Sequence, residues 1–557
     1  MKKFILFFVS ISLFAPTYAK IEPVKGIEPS HTLPILYINT ENSKEIDQKE
    51  TYIDAEWWLQ TFDIDGYESI GSQEKPQKLG IRGRGNTSWR HDGQKPYKLK
   101  LDKKTSLLGM GKNKHWALLA KIKRWELYNE ILAFEIGRQL GMAFVPETRP
   151  VEVVLNGTYI GLYMLTETIR IDDNRLEIYE QPELNDNPAT VGDGWLIEID
   201  NNTEENQVAI PQPQGYDLRV TYHTPEMVND LQKEWLRHQM EEITEAINTD
   251  NELQNSWEEL VDIDALAKHL IVEECLYNYD AYKGSCYIYK DKGSKWTFGP
   301  LWDFSDSGYG RKKDLIAKRE DQQWIGEFYK FPSFRKRLKE IWDSYYGNYG
   351  TEWIRPFLTE FYNKIEVAVK QSVKVWPDTP LNAEDGLEVV VASVTFDMEF
   401  NDLIFSTECD TKEITCELID ETADDLSDEM GQTNIPVVRL NGLNKRDATV
   451  NVGSTVYVSI EKNDNTEITR VMINGEKVEG FQTRHKPLRL KNIDKDLYIE
   501  IYYSTRMDDA GIMSPEISLT GEPEYYDLNG RKVNIDNSPK GIYIEVKGQE
   551  RRKIMKK

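Results

Sequence analysis

Two rhythms of apolar positions run along this chain, and each predicts its own elements. In Lys95-Pro-Tyr-Lys-Leu-Lys-Leu101 strict alternation places Tyr97, Leu99 and Leu101 on one face and Lys98 and Lys100 on the other, the signature of a half-buried strand. Residues 79–101 therefore read as strand, glycine-containing turn, strand. Over 125–141 the period changes: Leu127, Ile131, Leu132, Ile136 and Leu140 recur at helical spacing and stop at Gly141, predicting an amphipathic helix of about four turns. Asn156-Gly157 then separates the apolar runs 150–155 and 159–165, a hairpin signal.

The same reading gives short β-like runs between Leu33 and Gly71 and helices over 231–247 and 263–277. A hairpin follows from Tyr287–Lys290 into Trp296–Phe298, and helices resume over 334–373. Residues 376–430 are acidic and show no clear period, and the run Glu421–Glu429 reads as a linker. Beyond it, 435–503 has the Val, Ile and Tyr runs and Asn-Gly turns of a small β-sandwich, and 524–546 reads as a further β unit. The fold class expected is α+β, followed by small all-β modules.

Composition limits this picture without changing it. At 557 residues the chain exceeds one hydrophobic core, so two to four domains are expected, and 39% apolar residues is globular composition. Lys2 and Lys3, the apolar run Phe4–Ala15 and Thr17-Tyr18-Ala19 read as a secretory signal peptide over 1–19, so the mature chain is expected to be exported, with no integral membrane segment. The formal charge of −25 disfavours nucleic-acid partners. Four cysteines do not make a disulfide scaffold, although Cys409 and Cys416 are near enough in sequence to bridge; their pairing stays open.

The chemistry concentrates in Tyr279-Asp280-Ala281-Tyr282-Lys283-Gly284-Ser285 and in Gly299-Pro300-Leu301-Trp302-Asp303-Phe304. Two aspartates 23 positions apart across a hairpin suit a phosphotransferase, in which one carboxylate orients a hydroxyl and another holds Mg²⁺. From 82 to 303 the order is glycine turn, strand with lysine, helix, hairpin, helical region, Asp, hairpin, Asp. Protein kinases present their working parts in that order. Rival chemistries lack motifs: the seven histidines make no His-Glu-x-x-His, and there is no Cys-x-x-Cys or Gly-x-Ser-x-Gly. Paired carboxylates and abundant Trp and Tyr leave a carbohydrate-active reading open.

Six ordered blocks carry a resemblance. Arg82-Gly-Arg-Gly-Asn-Thr-Ser-Trp89, Lys95–Lys100, Ser106-Leu-Leu-Gly-Met110, Trp116-Ala-Leu-Leu-Ala120, Leu155–Glu167 and Gly299–Phe304 resemble successive blocks of the CotH (spore coat protein H) kinase-like family. The resemblance implies an atypical protein-kinase-like fold, with a β-rich N-lobe and helical C-lobe, over about 30–400. It implies transfer of phosphate from ATP, with Mg²⁺ or Mn²⁺, to Ser or Thr of a secreted or surface protein. The alternative is a non-catalytic surface adhesin or scaffold on the same fold.

By position, the resemblance makes Lys100 the phosphate-binding lysine, with Lys98 as fallback. Gly83 and Gly85 let backbone approach phosphate, and Arg82 and Arg84 add charge. Glu130 or Glu135 pairs the lysine from the helix, with Glu130 preferred. Glu167 fixes geometry or contacts nucleotide, or else pairs with Arg170. Asp280 becomes the catalytic-loop carboxylate and Asp303 the metal ligand. Ser285 stands where protein kinases place a metal-binding Asn, and Ser305 displaces the second acid to Asp306.

At the other end, Tyr526-Asp-Leu-Asn-Gly-Arg-Lys-Val533, Lys540-Gly-Ile-Tyr-Ile544 and a basic terminus resemble sorting domains of Bacteroidetes proteins exported by type IX secretion. That implies a cell-surface or extracellular destination and a contact with the secretion machinery; without it the protein is periplasmic. The expected division is 1–19 signal, 30–400 kinase-like domain, 401–433 linker, 434–504 β-sandwich and 517–557 sorting-like module.

Overall fold

The structure is a computed structural model that describes residues 21–556 apart from 306, 308–311, 320–321, 380, 423–434, 464, 480–486, 506–523, 527–531, 539 and 548–549. The signal-peptide reading over 1–19, most of the acidic run and Asp306 thus lie outside the described residues. The chain forms two compact units, one comprising residues to Thr415 with 440–458 and 489–497, the other the remainder.

The alternation around Tyr97–Leu101 belongs to a closed barrel in the first unit. Its strands are β1 (Ile35–Thr40), β2 (Ile53–Gln60), β3 (Gln77–Gly83), β4 (Tyr97–Thr105), β5 (Asn113–Ala120), β6 (Thr148–Leu155) and β7 (Thr158–Glu167), in spatial order β1-β2-β3-β4-β5-β7-β6. Neighbours are antiparallel except where β1 closes the barrel parallel to β6, Ile35 opposite Glu152. Inward positions such as Ile81, Leu99, Trp116, Val151 and Leu165 fill the barrel core. Outward positions on β5 and β7, including Ala117, Leu119, Leu162 and Met164, join a second and larger core built with the helices. The period-2 pattern therefore serves two cores, one on each face of the same strands.

A four-residue helix α1 (Thr87–Arg90) lies in the turn between β3 and β4, and α2 (Asn129–Gln139) follows β5 after a short 3₁₀ turn. The second core continues through an antiparallel sheet of β8 (Trp195–Ile199), β9 (Gln207–Pro211), β10 (Asp217–Thr224), β11 (Cys286–Lys290) and β12 (Thr297–Phe298), ordered β12-β11-β8-β10-β9. Packed with it are α3 (Asp230–Ile247), α4 (Ile263–Cys275), α5 (Gln323–Tyr329), α6 (Pro332–Tyr349), α7 (Ile354–Val375) and α8 (Ala383–Glu408). Fully buried Trp257, Trp296 and Trp342 stabilise it, each large apolar side chain contributing roughly 1.5–3 kcal/mol.

The region expected to be an acidic, unassigned stretch corrects the sequence reading. Residues 383–408 form one 26-residue helix capped by Asn382, whose side chain accepts from Asp385 N at 3.2 Å. Gly386 and the run Val389-Val390-Val391 argue locally against a helix. Tertiary burial overrides them: Val390, Val394, Met398 and Phe405 are fully enclosed. At Gly386 a Cβ would sit 2.3 Å from the Arg124 carbonyl, so the close approach requires glycine. The linker expected from 401 instead holds the end of α8 and then a strand, Thr411–Asp420.

In the first unit, Thr411–Thr415 pairs antiparallel with Asp447–Asn451. In the second, Thr466–Ile473 pairs with Glu476–Lys477 and with Leu497–Thr505. Four strands near the C-terminus (Glu524–Tyr526, Lys532–Val533, Gly541–Lys547 and Glu550–Lys556) form an antiparallel sheet. All four cysteines are buried, and no disulfide joins Cys409 to Cys416. Among the described residues no helix is long and apolar enough to cross a membrane.

Candidate active site

The glycine turn is held by its own side chains. A Cβ on Gly83 would lie 2.5 Å from the Trp89 ring; Gly85 has φ +80° and a Cβ there would lie 2.3 Å from Ser88 Oγ. Both glycines are thus required by packing within the turn, beside any part they take in binding. Arg82 leaves β3 to stack over Tyr52 at 5.1 Å, whereas Arg84 turns toward Trp302, 5.3 Å from the ring centre.

The lysines sort differently from the expectation. Lys100 is exposed, while Lys98 is half-buried and directly opposite Arg82 in the ladder. Burial, then Arg82, Arg84 and Arg170, push the Lys98 amine down to about 8, with Glu226 opposing. His115 on β5 is likewise driven down to about 3, by burial and then by Arg170, Lys98 and Lys100. Clustered cations raise one another's cost of charge, and that cost falls when an anion joins them. Lys98 therefore stands within this cluster of cations.

A lysine the sequence reading passed over completes the helix contact. Lys121, the residue after β5, makes a buried ion pair with Glu130 in the first turn of α2. Glu130 was expected to meet a lysine of β4; it meets Lys121 because α2 starts directly behind the end of β5. Glu135 instead bonds Arg138 at 3.1 Å. One signal was present in the sequence: a lysine that breaks the apolar strand Trp116–Ala120 at its end, nine residues before a glutamate.

Next to Glu130, Asn129 donates its amide to the Phe304 carbonyl at 2.9 Å, which ties α2 to the Asp303 segment. Asn278, buried just beyond α4, donates to Glu273 Oε2 at 2.8 Å and to the Asp303 carbonyl at 3.3 Å. Its backbone also pairs with Ser307. The two aspartate-bearing segments therefore lie side by side, joined through a residue two positions before Asp280. Burial pushes the Glu273 carboxyl well up, with Glu274 and Asp303 adding and Asn278 opposing.

Asp303 adopts φ 58°, a left-handed conformation that a non-glycine residue takes only when its surroundings hold it there. Ser305 donates to Asp303 Oδ1 through its hydroxyl at 2.6 Å and its backbone N–H at 3.3 Å. The residue that displaces the second acid thus orients the first. Asp280 is half-exposed, with Lys283 Nζ at 3.6 Å from its carboxylate. Ser285, with φ 54°, immediately precedes β11. Burial lowers the Arg84 guanidinium, opposed by Asp303 first and then by Tyr287, Glu130 and Glu198; the glycine turn, α2 and the Asp303 loop meet around it.

Glu167 lies elsewhere. It pairs with Arg175 at 2.6 Å, not Arg170, and accepts from Glu147 N at 3.0 Å, both members of the ion pair being buried. Arg175 also covers Trp116 at 4.8 Å. These bonds make Glu167 a brace for the exit of β7.

Among the described residues no group of three His, Cys, Asp or Glu side chains is arranged to hold a metal ion. Magnesium typically takes one or two carboxylates together with substrate phosphates, so a donor set of this size suits it. Asp303 offers a carboxylate, and the Oδ1 of Asn278, whose amide meets the Asp303 carbonyl, is buried without a hydrogen-bond partner.

The first unit thus combines a β-rich part carrying a glycine turn and a buried lysine–glutamate pair with a helical part whose two aspartate-bearing segments are joined through Asn278. Residues 81–397, more than half of the chain, match the family described as CotH kinase protein, and the chain belongs to that family. No curated protein matches it.

Proposed function

We propose that this protein is an exported atypical protein kinase that transfers the γ-phosphate of ATP to Ser or Thr hydroxyls of secreted or surface proteins. The observation that carries the reading is the buried Lys121–Glu130 pair, one residue from the Asn129 amide that holds the Asp303–Phe304 segment. That arrangement couples the lysine, the helix and the metal-binding aspartate, which kinase catalysis needs in place together.

In this reading Lys98 and Arg84 hold phosphate oxygens, and Lys121, oriented by Glu130, adds a further cation. Asp303 and Asn278 would hold magnesium or manganese, with Ser305 orienting the Asp303 carboxylate through its hydroxyl and backbone N–H. The metal supplies neutralising charge to the phosphoryl oxygens. Asp280 orients the acceptor hydroxyl and takes its proton as the new bond from oxygen to the γ-phosphorus forms and the bond to the ADP oxygen breaks. The sequence of segment 1–19, read as a signal peptide, and the C-terminal module, read as a sorting domain, support a reaction outside the cytoplasm.

The test is phosphate transfer by the purified full chain from labelled ATP with Mg²⁺ or Mn²⁺, beside Asp303→Ala. Wild type labels itself or an added protein and the variant does not. Equal labelling by both would remove the site assignment; absence of nucleotide binding in calorimetry would favour an adhesin or scaffold.

A further inference from the structure

Glu273 stands in the last turn of α4 with 2% of its surface exposed. Among the described residues it pairs with no lysine or arginine; the ionisable group beside it is His269, one turn back, whose Nε2 stays 3.7 Å from Oε1, beyond hydrogen-bond reach. A carboxyl buried without a cation costs the fold stability. What this one supplies is a direction for its neighbour.

That neighbour is Asn278, equally buried. Its backbone N–H donates to the Glu273 carbonyl at 3.0 Å, and its side-chain amide donates to Glu273 Oε2 at 2.8 Å and to the Asp303 carbonyl at 3.3 Å. A backbone carbonyl can only accept, so the amide nitrogen must lie on the Asp303 side, and both of its protons are then used. Oδ1 is thereby turned away from both acceptors, and it is buried with no hydrogen-bond partner. Of the two bonds that set this orientation, the one to Glu273 is the shorter. Without it a single 3.3 Å bond holds the amide against rotation about its last side-chain torsion.

We infer that Glu273 is a positioning residue of the metal site, which by accepting from Asn278 keeps Oδ1 free for the cation and the Asp303 carbonyl tied behind it. The inference rests on the kinase reading and deepens its metal site. Glu273 touches neither nucleotide nor metal and acts through Asn278. Removing a hydrogen-bonded residue behind a metal ligand typically lowers metal affinity roughly 10- to 100-fold. The requirement here is an acceptor, not a charge: a glutamine whose amide oxygen replaces Oε2 keeps the bond, and a leucine of similar volume does not.

The experiment measures ADP affinity of the full chain by calorimetry, once with Mn²⁺ and once with EDTA, and takes the ratio as the metal's contribution. Glu273→Leu should cut that ratio about tenfold and leave the affinity in EDTA unchanged, whereas Glu273→Gln should stay within about twofold of wild type. In an Asn278→Ala background Glu273→Leu should change nothing further. An unchanged ratio in Glu273→Leu, equal losses in the Leu and Gln variants, losses that multiply in the double variant, or an equal loss of affinity in EDTA, the mark of a merely structural role, overturns the inference and leaves the kinase reading in place. A wild-type ratio of one overturns the metal assignment with it, and absence of ADP binding overturns the kinase reading too. If Glu273→Leu does not fold, wild type decides: the Asn278 side-chain amide protons, identified in NMR spectra by their loss in Asn278→Ala, should exchange slowly with solvent, and exchange as fast as an exposed amide overturns the inference.

Discussion

Lys121 at the end of β5 and Glu130 at the start of α2 form a buried ion pair, while Lys100 lies exposed on β4. Lys121→Met should therefore lower phosphate transfer roughly 10²-fold or more, and Lys100→Met should leave it near wild type. Removing one partner alone also leaves a buried charge, at a cost of about 3–5 kcal/mol. The double variant Lys121→Met/Glu130→Gln separates the effects: thermal stability should recover and activity should not. Recovery of both would make the pair purely structural.

Lys98 predicts a pH dependence. Its amine loses its proton at about 8, so apparent ATP affinity should fall as pH rises through that value. Lys98→Arg, charged throughout, should flatten the profile. The stability sign is opposite. Because the folded-state amine is lowered, the unfolded chain binds more protons between about 8 and the usual lysine range, so folding stability should rise with pH across that window. Titrating KM for ATP and the melting temperature in parallel distinguishes the two.

Asp280, Asp303 and Asn278 should separate by readout. Asp280→Asn should keep metal-dependent nucleotide binding and lose transfer. Asp303→Ala should lose both, and Asn278→Ala, which releases the Asp303 carbonyl, should weaken nucleotide binding about tenfold. Calorimetry and single-turnover transfer measure these, and wild-type nucleotide affinity in Asp303→Ala would contradict the metal assignment.

Asp397 on α8 offers a stability test remote from the chemistry. Burial first, with Glu274 adding and Lys312 opposing, raises its carboxyl to about 7 from the usual 3.8. The folded state thus keeps a proton the unfolded chain gives up. Its contribution is fully present below about 4 and lost as pH climbs through 7. Asp397→Asn, which cannot ionise, should match wild type at low pH and exceed it by roughly 3–5 kcal/mol above neutrality in denaturant unfolding. Equal midpoints at high pH would show that Lys312 compensates the charge.

Much of this molecule is legible from local pattern. The alternation at Tyr97–Leu101 became β4, the Asn156-Gly157 turn joined β6 to β7, and the helical spacing of 125–141 became α2 with its preceding turn. Asp280 and Asp303 were picked out by spacing, and their segments are joined through Asn278. Local pattern leaves choices among equals open. Lys98 and Lys100 share one face of a strand in sequence, yet only Lys98 stands within the Arg82, Arg84 and Arg170 cluster. Glu167, expected to pair with Arg170, pairs instead with Arg175, which the fold brings to it.

The sequence by itself determined most element types and the family, because period, turn residues and motif spacing act over a few neighbouring positions. Tertiary structure alone decided which lysine meets Glu130, that residues 383–408 coil into a helix despite Gly386 and three successive valines, and that Asp303 holds a left-handed backbone. Each depends on what lies opposite across a core or a ladder, and burial and charge at such a contact are summed over partners far apart in the chain.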